Sequence, residues 1–110
     1  MSDCIFCKIA NGEIPSELVY ENEYIAAFND INPAAPIHIL VIPKCHCESL
    51  NELEDKNLMA ELLFGVKEVT KKLGIKDYRT VINTGKGAGQ EVFHIHLHII
   101  SGRPLKWPPG

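Results

Sequence analysis

The sequence predicts an α+β fold: a single domain with an antiparallel sheet of about five strands, one long helix and a short N-terminal helix. Only one long stretch, 55–73, repeats its apolar residues at three- and four-residue steps, as an amphipathic helix does. The other apolar runs are short, rich in β-branched residues and separated by turn-forming residues, which is typical of strands. The chain has 110 residues, of which 45% are hydrophobic, so it can bury a core without disulfide staples.

The predicted elements follow one another without a flexible linker, so we expect one domain over residues 1–110. In chain order they are a short helix over 4–9, a hairpin of strands over 18–21 and 24–29, a central strand over 37–42, the long helix over 55–73, and strands over 79–83 and 92–100. Gly74 follows the last apolar residue of the long helix, which predicts a glycine cap. The prolines of 103–110 predict an extended tail.

Composition excludes several classes of partner. The net charge of −3 argues against the broad basic surface of a nucleic-acid-binding protein, so we expect no nucleic-acid partner. No apolar run approaches the roughly 20 residues of a membrane span, and the first residues do not resemble an export signal, so we expect no membrane and a cytoplasmic location. The four cysteines form the pairs Cys4-x-x-Cys7 and Cys45-x-Cys47, and in that setting we expect reduced thiols or metal ligands rather than disulfides.

Three histidines, His94, His96 and His98, alternate with bulky aliphatic residues near the C-terminus. On a strand they would share one face at steps of about 6.6 Å, while the aliphatic residues enter the core. One interpretation is a polar strand face without further function. A second is a tri-histidine metal site, although imidazoles on one strand diverge, whereas zinc ligands converge. The third is a histidine nucleophile that attacks phosphorus.

The loop before these histidines favours the third interpretation. Gly85, Gly87 and Gly89 let the backbone approach a phosphate without a Cβ clash, so that amide groups can bind it. A glycine loop alone is a weak signal, but beside an accessible imidazole it indicates phosphoryl chemistry.

The run His94-Ile95-His96-Leu97-His98-Ile99-Ile100 resembles the signature of the histidine triad family. Further matches extend over nearly the whole chain, namely Ile5-Phe6, Lys8-Ile9, Phe28-Asn29-Asp30-Ile31, His38 and Trp107-Pro108-Pro109-Gly110. The chain is most similar to the branch of nucleotide-binding members that hydrolyse phosphoramidates. The resemblance implies the histidine triad fold, a homodimer, and a purine nucleotide such as AMP or a phosphoramidate as ligand.

By this resemblance His96 is the nucleophile and forms a nucleotidyl-histidine that water resolves, while His98, His38 and His94 are the catalytic residues around it. Asn83, Gly89, Glu91 and Val92 match phosphate-contacting positions, and Glu91 stands where many members have serine and others glutamate. The positions that match the base and ribose site are Ile5, Phe6, Phe28, Asp30 and Ile31. Considered alone, the three apolar residues Phe6, Phe28 and Ile31 would be core packing, and Asp30 a turn residue. Trp107 is expected to reach the partner subunit's substrate.

Cys4-x-x-Cys7 has the spacing of a thiolate pair that chelates a soft metal, but the pair is only half a site. Some histidine triad relatives complete it with residues that match His46 and His94, which implies a structural zinc ion and no cofactor for the chemistry itself. Free thiols or a redox pair are the alternatives. Cys45 and Cys47 are expected to be an exposed pair without a role.

The function expected from these observations is hydrolysis of purine nucleoside phosphoramidates. The alternatives are a dinucleoside polyphosphate hydrolase of the same family, and a nucleotide-binding regulatory protein with little turnover.

Overall fold

The computed structural model describes residues 4–110 and contains one five-stranded antiparallel sheet with strand order β1-β2-β3-β5-β4. The helices are α1 (Ile5–Ala10) and α2 (Lys56–Leu73), and the strands are β1 (Leu18–Glu21), β2 (Ile25–Asn29), β3 (Ile37–Pro43), β4 (Arg79–Ile82) and β5 (Leu97–Ser101). The predicted fold class is confirmed, and β3 lies at the centre of the sheet as expected. Residues 1–3 lie outside the described residues. They begin the N-terminal segment for which we expected no export signal.

Local signals in the sequence explain where the long helix begins and ends. The Asp55 side chain accepts hydrogen bonds from the backbone N–H groups of Asn57 and Leu58, so it caps the first turn of α2. Gly74 ends the helix in the left-handed conformation at φ 71°, which satisfies the last carbonyl groups. The predicted helix over 55–73 is therefore confirmed, with Asp55 as its cap.

The two faces of the sheet are covered by different helices. One face packs against α2 in a core cluster that includes Ile25, Ala27, Ile39, Val41, Leu97 and Ile99 from the strands. The opposite face carries Ala26, Phe28, Leu40 and Ile42, and packs against Phe6 of α1. Since β3 is buried on both faces, its sequence is a continuous apolar run rather than an alternating one.

The strand predicted over 92–100 is wrong in its first half, because β5 begins only at Leu97. Residues 91–96 turn instead of pairing along a strand. The Ile95 N–H donates to the Cys47 carbonyl at 2.7 Å, and the His94 carbonyl accepts from the His96 ring at 2.9 Å. These backbone groups are therefore not available for a sheet ladder.

The remaining differences are small. β2 begins at Ile25 rather than at 24, and β4 ends at Ile82 rather than at 83. The predicted loop over 84–91 contains a short 3-10 turn at Lys86–Ala88. After β5, the described chain continues to residue 110 without a further helix or strand. Within residues 4–110, no helix is both long enough and apolar enough to cross a membrane.

Candidate active site

A cavity of about 410 Å³ opens on the side of the sheet that faces α1. Its size falls within the range of small-molecule sites. Ten of the twelve residues predicted to contact a nucleotide line it. The apolar ones are Ile5, Phe6, Phe28, Ile31 and Val92. The polar ones are Asp30, Gly89, Glu91, His96 and His98.

Two predicted contact residues lie elsewhere. Asn83 is half-buried behind the glycine loop, where its side chain comes within 4 Å of the position that a Cβ on Gly89 would occupy. Trp107 is 81% exposed in the C-terminal segment. Neither side chain lines the cavity of the single chain. The contact of Trp107 with a partner's substrate stays a prediction.

His96 lies at the floor of the cavity, with 7% of its surface exposed. Its Nδ1 lies 2.9 Å from the backbone carbonyl of His94. A carbonyl oxygen only accepts hydrogen bonds, so Nδ1 must carry the proton and donate it. Nε2 is then left with a free lone pair. The Phe6 ring packs nearly perpendicular to the imidazole, with an interplanar angle of 83° and centroids 5.1 Å apart, and restricts its orientation.

His38 and His98 form a hydrogen-bonded pair with the opposite proton arrangement at the cavity. The Ala34 N–H donates to His38 Nδ1 at 2.9 Å, so this nitrogen accepts and the His38 proton resides on Nε2. His38 Nε2 donates to His98 Nδ1 at 2.8 Å. The His98 proton therefore resides on Nε2, which is buried and has no hydrogen-bond partner among residues 4–110.

The electrostatics keep His98 neutral. Burial is the main cause that lowers its pKa to about 4, and the neighbouring His96 and His38 lower it further. His98 thus presents an N–H donor rather than a full positive charge at neutral pH. Asp30 contacts the nitrogen that joins the two rings, since its Oδ2 lies 3.4 Å from His38 Nε2.

The expected row of three imidazoles on an accessible strand face is wrong. His94 is fully buried and His96 is nearly so. The His96 and His98 rings are 4.9 Å apart between centroids, closer than the step along a strand. Because the chain turns before β5, each histidine occupies a different environment: His94 meets two sulfur atoms, His96 the cavity floor, and His98 its partner His38.

Beside the cavity, Cys4, Cys7, His46 and His94 form a compact cluster whose candidate ligand atoms all lie within 4.8 Å of one another. The Sγ to Nδ1 distances are 3.3 Å for Cys4 to His94, 3.3 Å for Cys7 to His46 and 3.4 Å for Cys7 to His94. Tetrahedral zinc, with bonds of about 2.3 Å to sulfur and about 2.05 Å to nitrogen, requires about 3.5 Å between such atoms. The cluster is therefore compatible with a metal ion.

Hydrogen bonds around the cluster also suit a metal. His94 Nε2 donates to the Pro43 carbonyl at 2.8 Å, so its Nδ1 keeps a free lone pair directed at the sulfur atoms. Burial, followed by the effect of Cys4, raises the pKa of the Cys7 thiol, and a bound cation would offset this by stabilising the thiolate. Cys45 is exposed as expected, whereas Cys47 is half-buried against the main core, so the expectation of two exposed cysteines is wrong.

Sequence reasoning missed Gln90, which fixes the glycine loop from inside. Its side chain is 2% exposed, and its Oε1 accepts from the Gly85 N–H at 2.9 Å. Its Nε2 donates to the carbonyls of Glu48 at 2.6 Å and Val92 at 3.1 Å. A glutamine beside glycines in a predicted loop has no periodicity that would mark it as buried. Gly89, at the cavity, adopts φ 95°, a conformation that favours glycine.

Comparison with known proteins agrees with this geometry. The HIT domain family model matches residues 11–105. The chain is 51% identical over 108 residues to protein HitA of Neisseria gonorrhoeae, with 96% of this chain and 100% of that protein covered. It is 47% identical over 114 residues to a 14 kDa zinc-binding protein of Zea mays, with 99% and 89% covered. The crystal structure of a HIT family hydrolase from Legionella pneumophila has a TM-score of 0.93 at 47% identity, covering 98% of this chain and 100% of that one.

Proposed function

This chain belongs to the HIT family, and we propose that it hydrolyses purine nucleoside phosphoramidates through a nucleotidyl intermediate on His96. The observation that carries the proposal is the pairing of opposite tautomers at one cavity. His96 offers a lone pair on Nε2, because its Nδ1 donates to the His94 carbonyl. His98 offers a proton on Nε2, because its Nδ1 accepts from His38. An attacking lone pair beside a hydrogen-bond donor suits substitution at phosphorus.

In the proposed first step, His96 Nε2 forms a bond to the α-phosphorus while the bond from phosphorus to the leaving nitrogen breaks. The amine departs with the electron pair of that bond and takes a proton from solvent. The imidazole gains positive charge, and the hydrogen bond from Nδ1 to the His94 carbonyl stabilises that charge. In the second step a water oxygen forms a bond to the same phosphorus while the bond from phosphorus to His96 Nε2 breaks. The electron pair of that bond returns to Nε2 and restores neutral His96, and the proton lost by the water passes to solvent as the nucleotide leaves.

His98 has the complementary task in this scheme. Its Nε2–H would donate to a phosphate oxygen as negative charge grows there in the transition state. Because burial lowers the pKa of His98 to about 4, its imidazole stays neutral at pH 7 and donates from Nε2 without carrying a positive charge. The amides of the glycine loop near Gly89 would bind the other phosphate oxygens.

The apolar part of the cavity suits a purine. Ile5, Phe28 and Ile31 line that part, and a flat base can occupy the space between them. Asp30 lines the same cavity, and its carboxylate can accept hydrogen bonds from ribose hydroxyl groups. Phe6 also packs nearly perpendicular to the His96 ring, so we propose that it helps to orient the nucleophile as well.

The charges of the cavity favour a phosphoramidate over a dinucleoside polyphosphate. Among residues 4–110, those that line the cavity include the carboxylates of Asp30 and Glu91 and contain no lysine or arginine. A leaving polyphosphate carries several negative charges, which proteins usually neutralise with such cations or with a metal ion. An amine leaving group needs no cation and tolerates a neighbouring carboxylate.

We further propose that Cys4, Cys7, His46 and His94 hold a structural zinc ion. Four protein ligands close the coordination shell, so the ion would stabilise the fold and hold no open position for substrate. Its effect on the reaction would be indirect, because the backbone carbonyl of His94 is the group that orients His96. The homodimer, the cytoplasmic location and the reach of Trp107 into a partner's site stay predictions.

Steady-state hydrolysis of adenosine 5′-phosphoramidate, run beside diadenosine tetraphosphate, tests the proposed function. Wild type should prefer the phosphoramidate, and His96→Ala should lose turnover by orders of magnitude while it still binds AMP. A preference for the dinucleotide would replace the proposal by its alternative. Binding of AMP without turnover of either compound would indicate a regulatory protein.

A further inference from the structure

The chain that follows β5 lies against the loop between β2 and β3. Gly102 adopts φ 95°, and a Cβ at this position would come within 2.8 Å of the Pro36 side chain. The next residue, Arg103, extends its guanidinium to the same loop, where Nη2 donates to the Ala34 carbonyl at 3.1 Å. The close approach at Gly102 therefore brings Arg103 within hydrogen-bond range of the loop.

Ala34 connects this contact to the histidine pair. Its carbonyl accepts from Arg103, while its own N–H donates to His38 Nδ1 at 2.9 Å. His38 in turn donates to His98 at 2.8 Å. Hydrogen bonds thus run without interruption from an exposed arginine in the C-terminal segment to the histidine that faces the cavity.

We propose that Arg103 is a positioning residue, which fixes the protonated nitrogen of His98 by holding the Ala34 amide on His38. Ala34 is exposed and lies outside any helix or strand, so the sheet does not hold its amide in place. While the Ala34 N–H donates to His38 Nδ1, the His38 proton is confined to Nε2. If that N–H leaves, Asp30 Oδ2, at 3.4 Å from Nε2, is the remaining group that favours this tautomer, and in a fraction of the molecules the proton moves to Nδ1 and His38 Nε2 becomes an acceptor. His98 must then carry its proton on Nδ1, and Nε2 presents a lone pair to the phosphate instead of a donor.

An arginine fits this task better than a lysine. Its Nη1 donates to the Pro104 carbonyl at 3.1 Å, so one planar guanidinium joins the C-terminal segment to the Ala34 carbonyl. A lysine ammonium is a flexible point donor and cannot hold both groups in the same fixed geometry. We therefore expect Arg103→Lys to retain only part of the effect.

The chain provides a matched control. Arg79 also holds the C-terminal segment, through a hydrogen bond from Nη2 to the Lys106 carbonyl at 2.9 Å, but this contact lies three residues further along the segment and does not involve the loop. Arg79→Ala removes an exposed arginine contact of the same kind. It should leave the histidine pair undisturbed.

The first measurement is the tautomeric state, read from ¹⁵N chemical shifts of the histidine rings in the full-length chain. Wild type and Arg79→Ala should show His98 protonated on Nε2, and Arg103→Ala should show a mixture of both tautomers. Guanidinium chloride at low millimolar concentration should restore part of the wild-type spectrum of Arg103→Ala. An unchanged His98 spectrum in Arg103→Ala would overturn the proposal, and so would an equal change in Arg79→Ala.

The second measurement is kinetic and rests on the proposed function. With adenosine 5′-phosphoramidate, Arg103→Ala should lower kcat about fivefold with a smaller change in KM, since one charge-assisted hydrogen bond supports a group that acts in the transition state. A change confined to KM would contradict a role in orienting His98. If wild type does not turn over the phosphoramidate, the proposed function fails, whereas the ¹⁵N spectra still decide the role of Arg103.

Discussion

Replacing Glu91 by glutamine should shift the enzyme toward substrates with anionic leaving groups. In the part of the chain that the structure describes, the carboxylates that line the cavity are Glu91 and Asp30, and no lysine or arginine lines it. Two unit charges about 6 Å apart interact by about 0.7 kcal/mol in water and by about 2.8 kcal/mol at an effective dielectric constant of about 20. Glu91 is exposed, so the lower figure is the better guide. We therefore expect Glu91→Gln to lower the free energy of the transition state by about 1 kcal/mol for each negative charge that the leaving group brings near residue 91. This corresponds to a rise in kcat/KM of about fivefold per charge.

The assay compares kcat/KM for two AMP phosphoramidates of similar size, one whose amine carries a carboxylate and one whose amine carries an ammonium group. Glu91→Gln should raise the ratio of anionic to cationic substrate by about fivefold to thirtyfold, since the two leaving groups differ by two charges. The effect should weaken in 0.5 M salt, because exposed charges are screened. Glu68→Gln, on the exposed side of α2, is the control and should leave the ratio unchanged. A ratio that stays constant in Glu91→Gln would refute the electrostatic explanation of leaving-group preference.

Three further predictions concern the groups around the cavity. Cys7→Ser should reduce the zinc content of protein purified without chelator from about one ion per chain to a small fraction of that, and it should lower Tm. Equal zinc content in the variant and the wild type would contradict the proposed ligand set. The folded pKa of His98, about 4, lies below its unfolded value of 6.5, so stability should be full above pH 6.5 and decrease as the pH falls toward 4. After a discount for partial exposure the loss at pH 5 should be about 1 kcal/mol in urea unfolding, and His98→Asn should remove that part of the pH dependence. Gln90→Ala leaves the Gly85 N–H and the Glu48 carbonyl without their partner, so it should cost about 2 kcal/mol of stability and raise KM for the phosphoramidate more than it lowers kcat.

The regular part of the fold could be predicted from the sequence because local rules and tertiary packing agree there. Asp55 and Gly74 mark both ends of α2 by capping chemistry that depends only on nearby residues. His38 and Leu40 are two residues apart on β3 and share one face, and the register pairs Leu40 with His98 on β5, so His98 lies on that same face. His38 and His98 thus come to the α1 side of the sheet for a reason that the sequence contains.

The region before β5 could not be predicted, because its conformation depends on partners far away in sequence. A strand pattern over 92–100 is present in the sequence, but the Ile95 N–H donates to the Cys47 carbonyl, and His94 Nε2 donates to the Pro43 carbonyl. Such contacts have no local signature. The same is true of Gln90, whose amide satisfies backbone groups on three different segments. Most of the cavity residues were predicted from the family resemblance. Periodicity alone would have assigned one of them, Phe28, to core packing.

Four histidines, His38, His94, His96 and His98, lie at or near the cavity, and their hydrogen bonds show why they are not equivalent. His96 and His98 present opposite atoms to the cavity, a lone pair and a proton, and each owes this to a hydrogen bond on its other nitrogen. The group that fixes His96 is a backbone carbonyl, which no side-chain substitution removes, whereas the group that fixes His98 is the His38 ring. Replacement of His38 should therefore change the tautomer of His98 and leave that of His96 intact. His94 differs again, because its ring belongs to the Cys/His cluster and only its carbonyl contacts His96. If the cluster binds zinc and His96 is the nucleophile as proposed, removal of the zinc should affect catalysis through the position of His96 rather than through its protonation.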